Sequence, residues 1–421
     1  MDDSRGGGPV AWAVSRWGTD PYARGAWTGL LLGGTAADRA RLAAPIGDRL
    51  VLAGEGVHPT SPAMVHGAYE SGRAAAAHLL ATARPGETVA VVGAGMAGLA
   101  AARVLRDRGL RVRVLEARDR VGGRVRTVDL GGVGADLGAA WLQQYPCNPL
   151  GRVAADLGLV AVATDFGAPL PLSPAGPVSG VHEALAALRA HAAAATATAD
   201  APVADVLAAH RATLDPARAR VLDYAVAAAI TLESGLDFSV ASARGTFGEP
   251  GVGEGDRWLP AGMSRLCEAL ADGLEVALDH PVAGVRTDPD GVTVHGPWGR
   301  LRADRAVLAV PLAVLPTLVL EPPLPAGHAA ALARVGTGQA EKVLLRYRER
   351  FWPAAPGGYL WWGEDRPTWN EWADLTDGLG VPVLALIAAG DAARALHGHR
   401  PDADVVADAH ATVVRLARSA R

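Results

Sequence analysis

Cysteine is nearly missing from this chain: 421 residues hold only Cys147 and Cys267, far apart. That excludes a disulfide framework and leaves no cysteine spacing suited to a metal. Positive charge is not in excess either. The net charge is −4 and no stretch is strongly basic, so a nucleic-acid role has no electrostatic support. Long apolar runs are absent. The longest, residues 306–320, is broken by Pro311 and Pro316, too short to span a bilayer. Met1-Asp2-Asp3-Ser4-Arg5 and the glycines after it lack a basic region followed by an apolar core, so no signal peptide is expected. These absences point to a reduced, cytoplasmic, globular protein with no membrane or nucleic-acid partner. What is present is apolar bulk. Half of the residues are hydrophobic, enough at this length for more than one core.

The clearest local unit begins after a turn-rich connector, Thr82-Ala83-Arg84-Pro85-Gly86-Glu87. Thr88-Val89-Ala90-Val91-Val92 is a short β-branched apolar run, expected as a buried parallel strand. Gly93-Ala94-Gly95-Met96-Ala97-Gly98 then opens a helix that runs to about Arg108, and Gly109 stops it. Residues 111–116 form the next strand. Before this unit, residues 49–53 read as a strand and 65–80 as a helix. After it, 151–245 is Ala-rich with helical periodicity, including expected helices over 181–199 and 203–228. Strands are expected at 291–295, 306–310, 341–347 and 381–388, and a helix ends the chain. No internal repeat is seen.

Gly93-x-Gly95-x-x-Gly98 between a strand and a helix is a dinucleotide fingerprint. Gly93 permits the tight turn, Gly95 lets the backbone approach a pyrophosphate, and Gly98 lets the helix pack close to the strand. The helix N-terminus offers unpaired N–H groups and a positive dipole end to phosphates. Glu116 follows 21 residues after Gly95. A carboxylate there accepts hydrogen bonds from a ribose, worth about 1.5–3 kcal/mol, and disfavours a 2′-phosphate. The continuation Glu116-Ala117-Arg118-Asp119-Arg120-Val121-Gly122-Gly123-Arg124 excludes a simple NAD dehydrogenase. Its second glycine pair lets another backbone segment approach the cofactor, and Arg124 offers a fork-shaped donor to a phosphate.

This stretch resembles the second FAD signature of the flavin-containing amine oxidases, shared more loosely with phytoene desaturases and protoporphyrinogen oxidases. The resemblance continues through Asp136-Leu137-Gly138-Ala139-Ala140-Trp141, Asn148-Pro149-Leu150 and 258–263. Further on it includes Pro281-Val282, Val310-Pro311-Leu312, 322–325 and the segment from Lys342 to Trp352. The late flavin segment of the family is at the front instead. Residues 14–28 resemble its Trp-x-x-Asp-Pro signature, and Ala53-Gly54-Glu55 with 62–72 resemble its last one. The nearest wording is that of the polyamine oxidases and histone lysine demethylases. The whole pattern occurs once, in rotated order, over about residues 10–420. The resemblance therefore implies an α/β fold, circularly permuted. A Rossmann-like FAD-binding domain would use residues 9–150 and 246–310, and an α+β substrate-binding domain residues 151–245 and 311–421. Rotation is cheap where chain ends lie close together, so Val10 and Arg421 should be neighbours.

The resemblance also implies roles. Non-covalent FAD would lie along Gly93, Gly95, Gly98, Glu116, Arg118, Gly123 and Arg124. Gly138, Ala139, Ala140, Trp141 and Val282 would add to the same groove. From the front of the chain, Trp17, Tyr22, Ala26, Gly54, Glu55, Met64, Val65 and Ala68 would cover the flavin. Glu55 would accept from the ribityl chain, and the helix from Val65 would point its N-terminus at the pyrimidine edge. Lys342 would hold a water against the flavin and assist reaction with oxygen, although alternation groups it with Leu344 and Arg346 and leaves its face open. Trp27 and Met64 would flank the amine. Ala26 stands where some relatives carry a flavin-linked cysteine. Trp141 replaces an arginine that binds an α-carboxylate, and Gln143 replaces a glutamate that favours polyamines. Trp361, Trp362, Trp369 and Trp372 would line the substrate cavity or fill core. The expected partners are a small amine and oxygen. The expected reaction is hydride transfer from the carbon beside nitrogen to flavin, releasing hydrogen peroxide and an imine that hydrolyses. Oxidation of a C–C bond, or a non-catalytic flavoprotein, are the rival readings. Oligomeric state is not legible.

Overall fold

The computed structural model describes residues 7–164, 169–248, 255–355, 357–361, 368–398 and 400–419. Its first layer is a five-stranded parallel sheet. The strand order is Glu275–Ala277, Arg111–Leu115, Thr88–Val92, Arg305–Leu308 and Leu50–Leu52. The central strands are covered on both faces, which explains the apolar runs 89–92 and 306–308 within them. The helices Met96–Asp107 and Val65–Leu80 pack together on this sheet around Leu79, Leu99, Ala101 and Leu105. Their contact is close at Gly72, where a Cβ would meet the Ala97 carbonyl oxygen at 2.0 Å. Residues from the front of the chain thus supply both an edge strand and a covering helix to the glycine-turn unit.

The second layer is a seven-stranded sheet. Its order is Ala11–Val14, Ala340–Arg346, Val383–Ala389, Glu371–Asp374, Tyr359–Trp361, Leu170–Ser173 and Gly176–Pro177. Alternation divides its faces. Val343 and Leu345 face a core with Trp361, Trp369, Trp372 and the helix Asp402–Ser419. On the other face, Leu344 packs on Leu130, Ala135 and Leu137, and Ile387 on Trp27 and Trp141. A smaller four-stranded sheet joins Gly299–Ala303, Gly291–Gly296, Gly284–Asp288 and Val319–Glu321. No described helix is long and apolar enough to cross a membrane.

Ala11–Val14 pairs with Ala340–Arg346, and Val319–Glu321 pairs with Gly284–Asp288. The expected helix over 203–228 is broken. Val203–Arg211 stops, and Pro216–Ala225 starts afresh with Asp215 as N-cap, its carboxylate accepting from the Arg218 N–H at 2.9 Å. Pro216 at the first helical position explains the restart. The helix Asp402–Ser419 begins beside Arg16, whose guanidinium is 2.6 Å from Asp402. Its His410 lies 3.1 Å from the Tyr347 hydroxyl. Next to Tyr347, the Arg346 carbonyl accepts from the Val10 N–H at 2.7 Å. The helix therefore runs back toward residue 10. The expected meeting with Arg421 lies outside the described residues.

Candidate active site

One continuous cavity of about 1140 Å³ joins the two layers. At one end it is lined by Gly93, Gly95, Glu116, Arg118, Gly123 and Val282. The front of the chain adds Trp17, Tyr22, Ala26, Gly54, Glu55, Val65 and Ala68, and the other end holds Trp27, Met64, Trp141, Lys342 and Glu371. Arg124, Gly138, Ala139 and Ala140 complete the expected set along its wall. Of the residues expected at the site, only Gly98 does not line it. Its Cβ would stand 1.9 Å from the Gly93 carbonyl oxygen, which fits its expected packing role.

The nucleotide end is built from backbone. Gly95 is the N-cap of Met96–Asp107 and no side chain caps that terminus, so its first N–H groups are available to an anion. A Cβ on Gly95 would meet nothing nearer than the Gly122 carbonyl oxygen at 4.0 Å. The side of Gly95 that faces the cavity is therefore open. The second glycine pair lies against the first turn: the Gly122 N–H donates to the Ala94 carbonyl at 2.8 Å. The Glu116 carboxylate is buried and accepts from the Ala94 N–H at 2.7 Å and the Arg118 N–H at 3.0 Å. Each oxygen keeps a lone pair for a further donor.

Two ion pairs fasten the front of the chain over this groove. Arg118 pairs with Asp20 at 2.8 Å and lies over the Tyr22 ring at 5.5 Å. Arg124 pairs with Glu55 at 3.0 Å and donates to the Ala26 carbonyl at 2.5 Å. Arg124 was expected to fork onto a phosphate, and here its Nη1 is directed to the front segment instead. Glu55 was expected to accept from a ribityl chain. Its Oε2 accepts from the Thr28 hydroxyl at 2.8 Å and the Ala63 N–H at 2.9 Å. Burial would raise the Glu55 pKa, but Arg124, Arg39 and these donors hold it below the ordinary value. The helix Val65–Leu80 has Met64 as N-cap, again with no side-chain cap.

At the far end, Lys342 is buried and donates from Nζ to the carbonyls of Asp136 at 3.0 Å and Gly138 at 2.7 Å. Nζ lies 5.0 Å from the Trp141 ring centroid. Burial lowers its pKa to about 8, against the opposite pull of Asp136 and Glu371. Asp136 is pushed up to about 6 by its own burial, despite the Thr127 hydroxyl at 2.6 Å. Its neighbour Glu341 points the other way and accepts from Ser15 Oγ at 2.5 Å and the Trp17 and Gly18 N–H groups at 2.9 Å, with His397 Nε2 at 3.0 Å. It anchors the loop that carries Trp17. Of the four tryptophans of uncertain role, Trp361, Trp369 and Trp372 are core; Trp362 lies outside the described residues.

The family model of the flavin-containing amine oxidoreductases matches residues 4–80, 96–177 and 250–416. The chain belongs to that family. Its cofactor is FAD. The groove fits that group: bare N–H groups meet an open glycine, a carboxylate stands at ribose distance along the chain, and the volume exceeds the ~300–1,000 Å³ of a single small-molecule pocket. Among curated relatives, a lysine-specific histone demethylase 1 homolog of Arabidopsis thaliana is 31% identical over 333 residues, covering 72% of this chain and 39% of that protein. Polyamine oxidase 2 of the same plant is 29% identical over 341 residues, covering 73% and 68%. The chain spans about two fifths of the length of the first curated relatives it matches. Among solved structures, putrescine oxidase bound to putrescine shares 25% identity with a TM-score of 0.61, covering 80% of this chain and 83% of that one. Cyclohexylamine oxidase from Brevibacterium oxydans IH-35A has a TM-score of 0.64 at 23% identity, covering 80% and 82%, a likeness of fold.

Glu233, Asp256 and Glu371 are cavity carboxylates that escaped the sequence reading. Glu233 sits on the short helix Thr231–Ser234, where its carbonyl accepts from Trp27 Nε1 at 2.9 Å. Its side chain is 3.5 Å from Arg189. Glu371 opens the strand Glu371–Asp374. Burial raises its pKa to about 7; Lys342 opposes the rise and Glu233 adds to it. The only local signal was a charge at the head of a short strand, which a solvent-facing residue would give equally.

Proposed function

We propose that this chain oxidises an amine at the carbon next to nitrogen. FAD supplies the hydride acceptor, and oxygen returns it to the oxidised state with release of hydrogen peroxide; the imine hydrolyses to an aldehyde or ketone. The observation that carries this reading is the continuity of one cavity from the glycine turn to Lys342, with Trp17, Glu55 and Met64 along it. The protein's part is binding, orientation and exclusion of water. Backbone N–H groups at Gly95 and Met64 face negative charge. Trp27 and Met64 wall the reacting end, and an apolar wall favours the neutral amine over the ammonium. Lys342 holds a positive charge and a transferable proton at that wall. Ala26 has no nucleophile, so FAD is held without a covalent bond. Anaerobic addition of primary, secondary and cyclic amines should bleach the flavin, and admission of air should restore it with peroxide. A flavin that no amine bleaches would count against the reading.

We infer further that the chain order is rotated relative to the family. Residues 9–150 and 246–310 would form the FAD-binding domain, and 151–245 with 311–421 the substrate-binding one. The pairing of Leu50–Leu52 with Arg305–Leu308 supports this, as do the Arg118–Asp20 and Arg124–Glu55 pairs. A chain rearranged to begin at Glu87 and to pass from residue 421 through a short linker into residues 10–82 should bind FAD and melt within a few degrees of the parent. Loss of both properties would oppose the rotation.

A further inference from the structure

The helical wall of the cavity contains an irregular turn. Pro216–Ala225 is α-helical, Val226–Ile230 is wound as a π-helix, and Thr231–Ser234 returns to the α form. A π turn closes its hydrogen bonds over one residue more than an α turn, and such turns are rare. Nothing local calls for it. The segment is Val226-Ala227-Ala228-Ala229-Ile230, without proline or glycine, and alanine favours the α-helix. The cause is in what holds each side. Before the turn, the Tyr224 hydroxyl donates to the Leu360 carbonyl at 2.8 Å, and Leu222 packs with Leu188. After it, Leu232 packs with Trp27, Ala340 and Ile387. The Glu233 carbonyl accepts from Trp27 Nε1 at 2.9 Å, and the Gly235 carbonyl from the Gln339 N–H at 2.8 Å. The Gly338 N–H closes the ring by donating to the Trp27 carbonyl at 2.7 Å.

Each residue of an α-helix turns the next by about 100° and advances it about 1.5 Å. A regular helix through the same span would hold one residue fewer. With the present residues wound that way, either the Tyr224 side or the Trp27 side would leave its partners. Ala229 lies within the π turn and Leu232 just after it, and both line the cavity with Trp27. We propose that the π turn is a positioning and specificity element. Its extra residue sets the register in which residues 231–235 hold the Trp27 indole, and so the gap between that indole and the wall of Ala229 and Leu232. The gap limits the bulk of the group carried on the carbon that is oxidised. The tether is made of main-chain groups and an indole N–H, so this selection among amines is by shape and not by charge. It rests on the amine-oxidation reading above and names what the same site selects.

Deletion of Ala227 leaves the right number of residues for a continuous α-helix and is the test. The holoenzymes, matched in FAD content, are given monoamines of increasing bulk beside the nitrogen. The ratio of kcat/KM for bulky to slim amines should change about threefold to tenfold, the scale of one neutral hydrogen bond, through KM more than kcat. Trp27→Phe removes the indole donor and should shift the same ratio. With Trp27→Phe already present, deleting Ala227 should add little, because the tether it disturbs is gone. A role in folding alone would leave the ratio unchanged or make the two effects additive, and either result overturns the inference. If the deleted chain does not fold, Gly235→Ala takes its place in the same cycle. The φ of 62° at Gly235, and a Cβ that would lie 2.9 Å from the Gln339 carbonyl oxygen, strain the same tether. A parent that no amine bleaches overturns the amine reading. A parent that is bleached, with variants of unchanged preference, overturns this inference alone.

Discussion

Lys342→Met is expected to slow amine turnover by about two to three orders of magnitude, the scale for removing one preorganised charge from a water-poor site, while FAD still co-purifies. The reason lies in how this lysine is held. Its ammonium is fixed by the Asp136 and Gly138 carbonyls, so little reorganisation is needed when it acts. Methionine matches its length but brings no charge and no proton. Stability should change little, which separates this outcome from unfolding. The folded pKa, about 8, lies below the usual 10.5. The folded state therefore holds this proton less tightly than the unfolded chain. The charged lysine opposes folding below pH 8 by about 3 kcal/mol, and that penalty fades as pH rises from 8 to 10.5. Methionine removes the penalty but leaves two carbonyls without their donor, at about 1–3 kcal/mol each, so the effects largely offset. Turnover of the parent should also decline as pH rises through about 8. Peroxide release, flavin absorbance and a thermal melt measure the three quantities. A variant that turns over at the parental rate would remove Lys342 from the chemistry.

Substitution at two glycines three residues apart should give opposite folding outcomes and the same loss of cofactor. Gly95→Leu is expected to fold with a melting temperature near that of the FAD-free parent and to bind FAD at least about a hundredfold more weakly. Its side chain meets only open cavity, because the nearest atom to its Cβ is 4.0 Å away. Clashing with the ligand, it leaves the helix and strand in place. Gly98→Val must move backbone, since its Cβ would lie 1.9 Å from the Gly93 carbonyl oxygen. Overpacking of that kind costs about 1–3 kcal/mol or more, so the FAD-free melt should drop as well. Flavin absorbance after purification and melts with and without added FAD distinguish the two. A fully flavinated Gly95→Leu protein would show that the turn does not face the nucleotide.

Several local elements are legible in the sequence. The bounds of the strand Thr88–Val92 and the helix Val65–Leu80 match the expected 88–92 and 65–80. Both rest on short-range patterns, and both end at turn or cap residues a few positions away. The helix over 203–228 went wrong because a helical period continues smoothly across Asp215-Pro216, where the chain restarts. Trp361, Trp369 and Trp372 could not be assigned to core or lining by sequence, since a tryptophan is equally bulky in either place. The helix Asp402–Ser419, packed against their sheet, made them core.

The sequence by itself determined the glycine turn and the carboxylate that ends the following strand. Each is a matter of residue type at short spacing, where backbone geometry leaves few choices. Tertiary structure alone decided which charges would meet. Arg124 turned to Glu55, Lys342 took two carbonyls from residues 136 and 138, and Glu341 took its donors from residues 15–18 and 397. It also left Glu371 facing the cavity. Whether a buried charge is satisfied depends on groups tens to hundreds of positions away, and no local pattern in the chain encodes that distance.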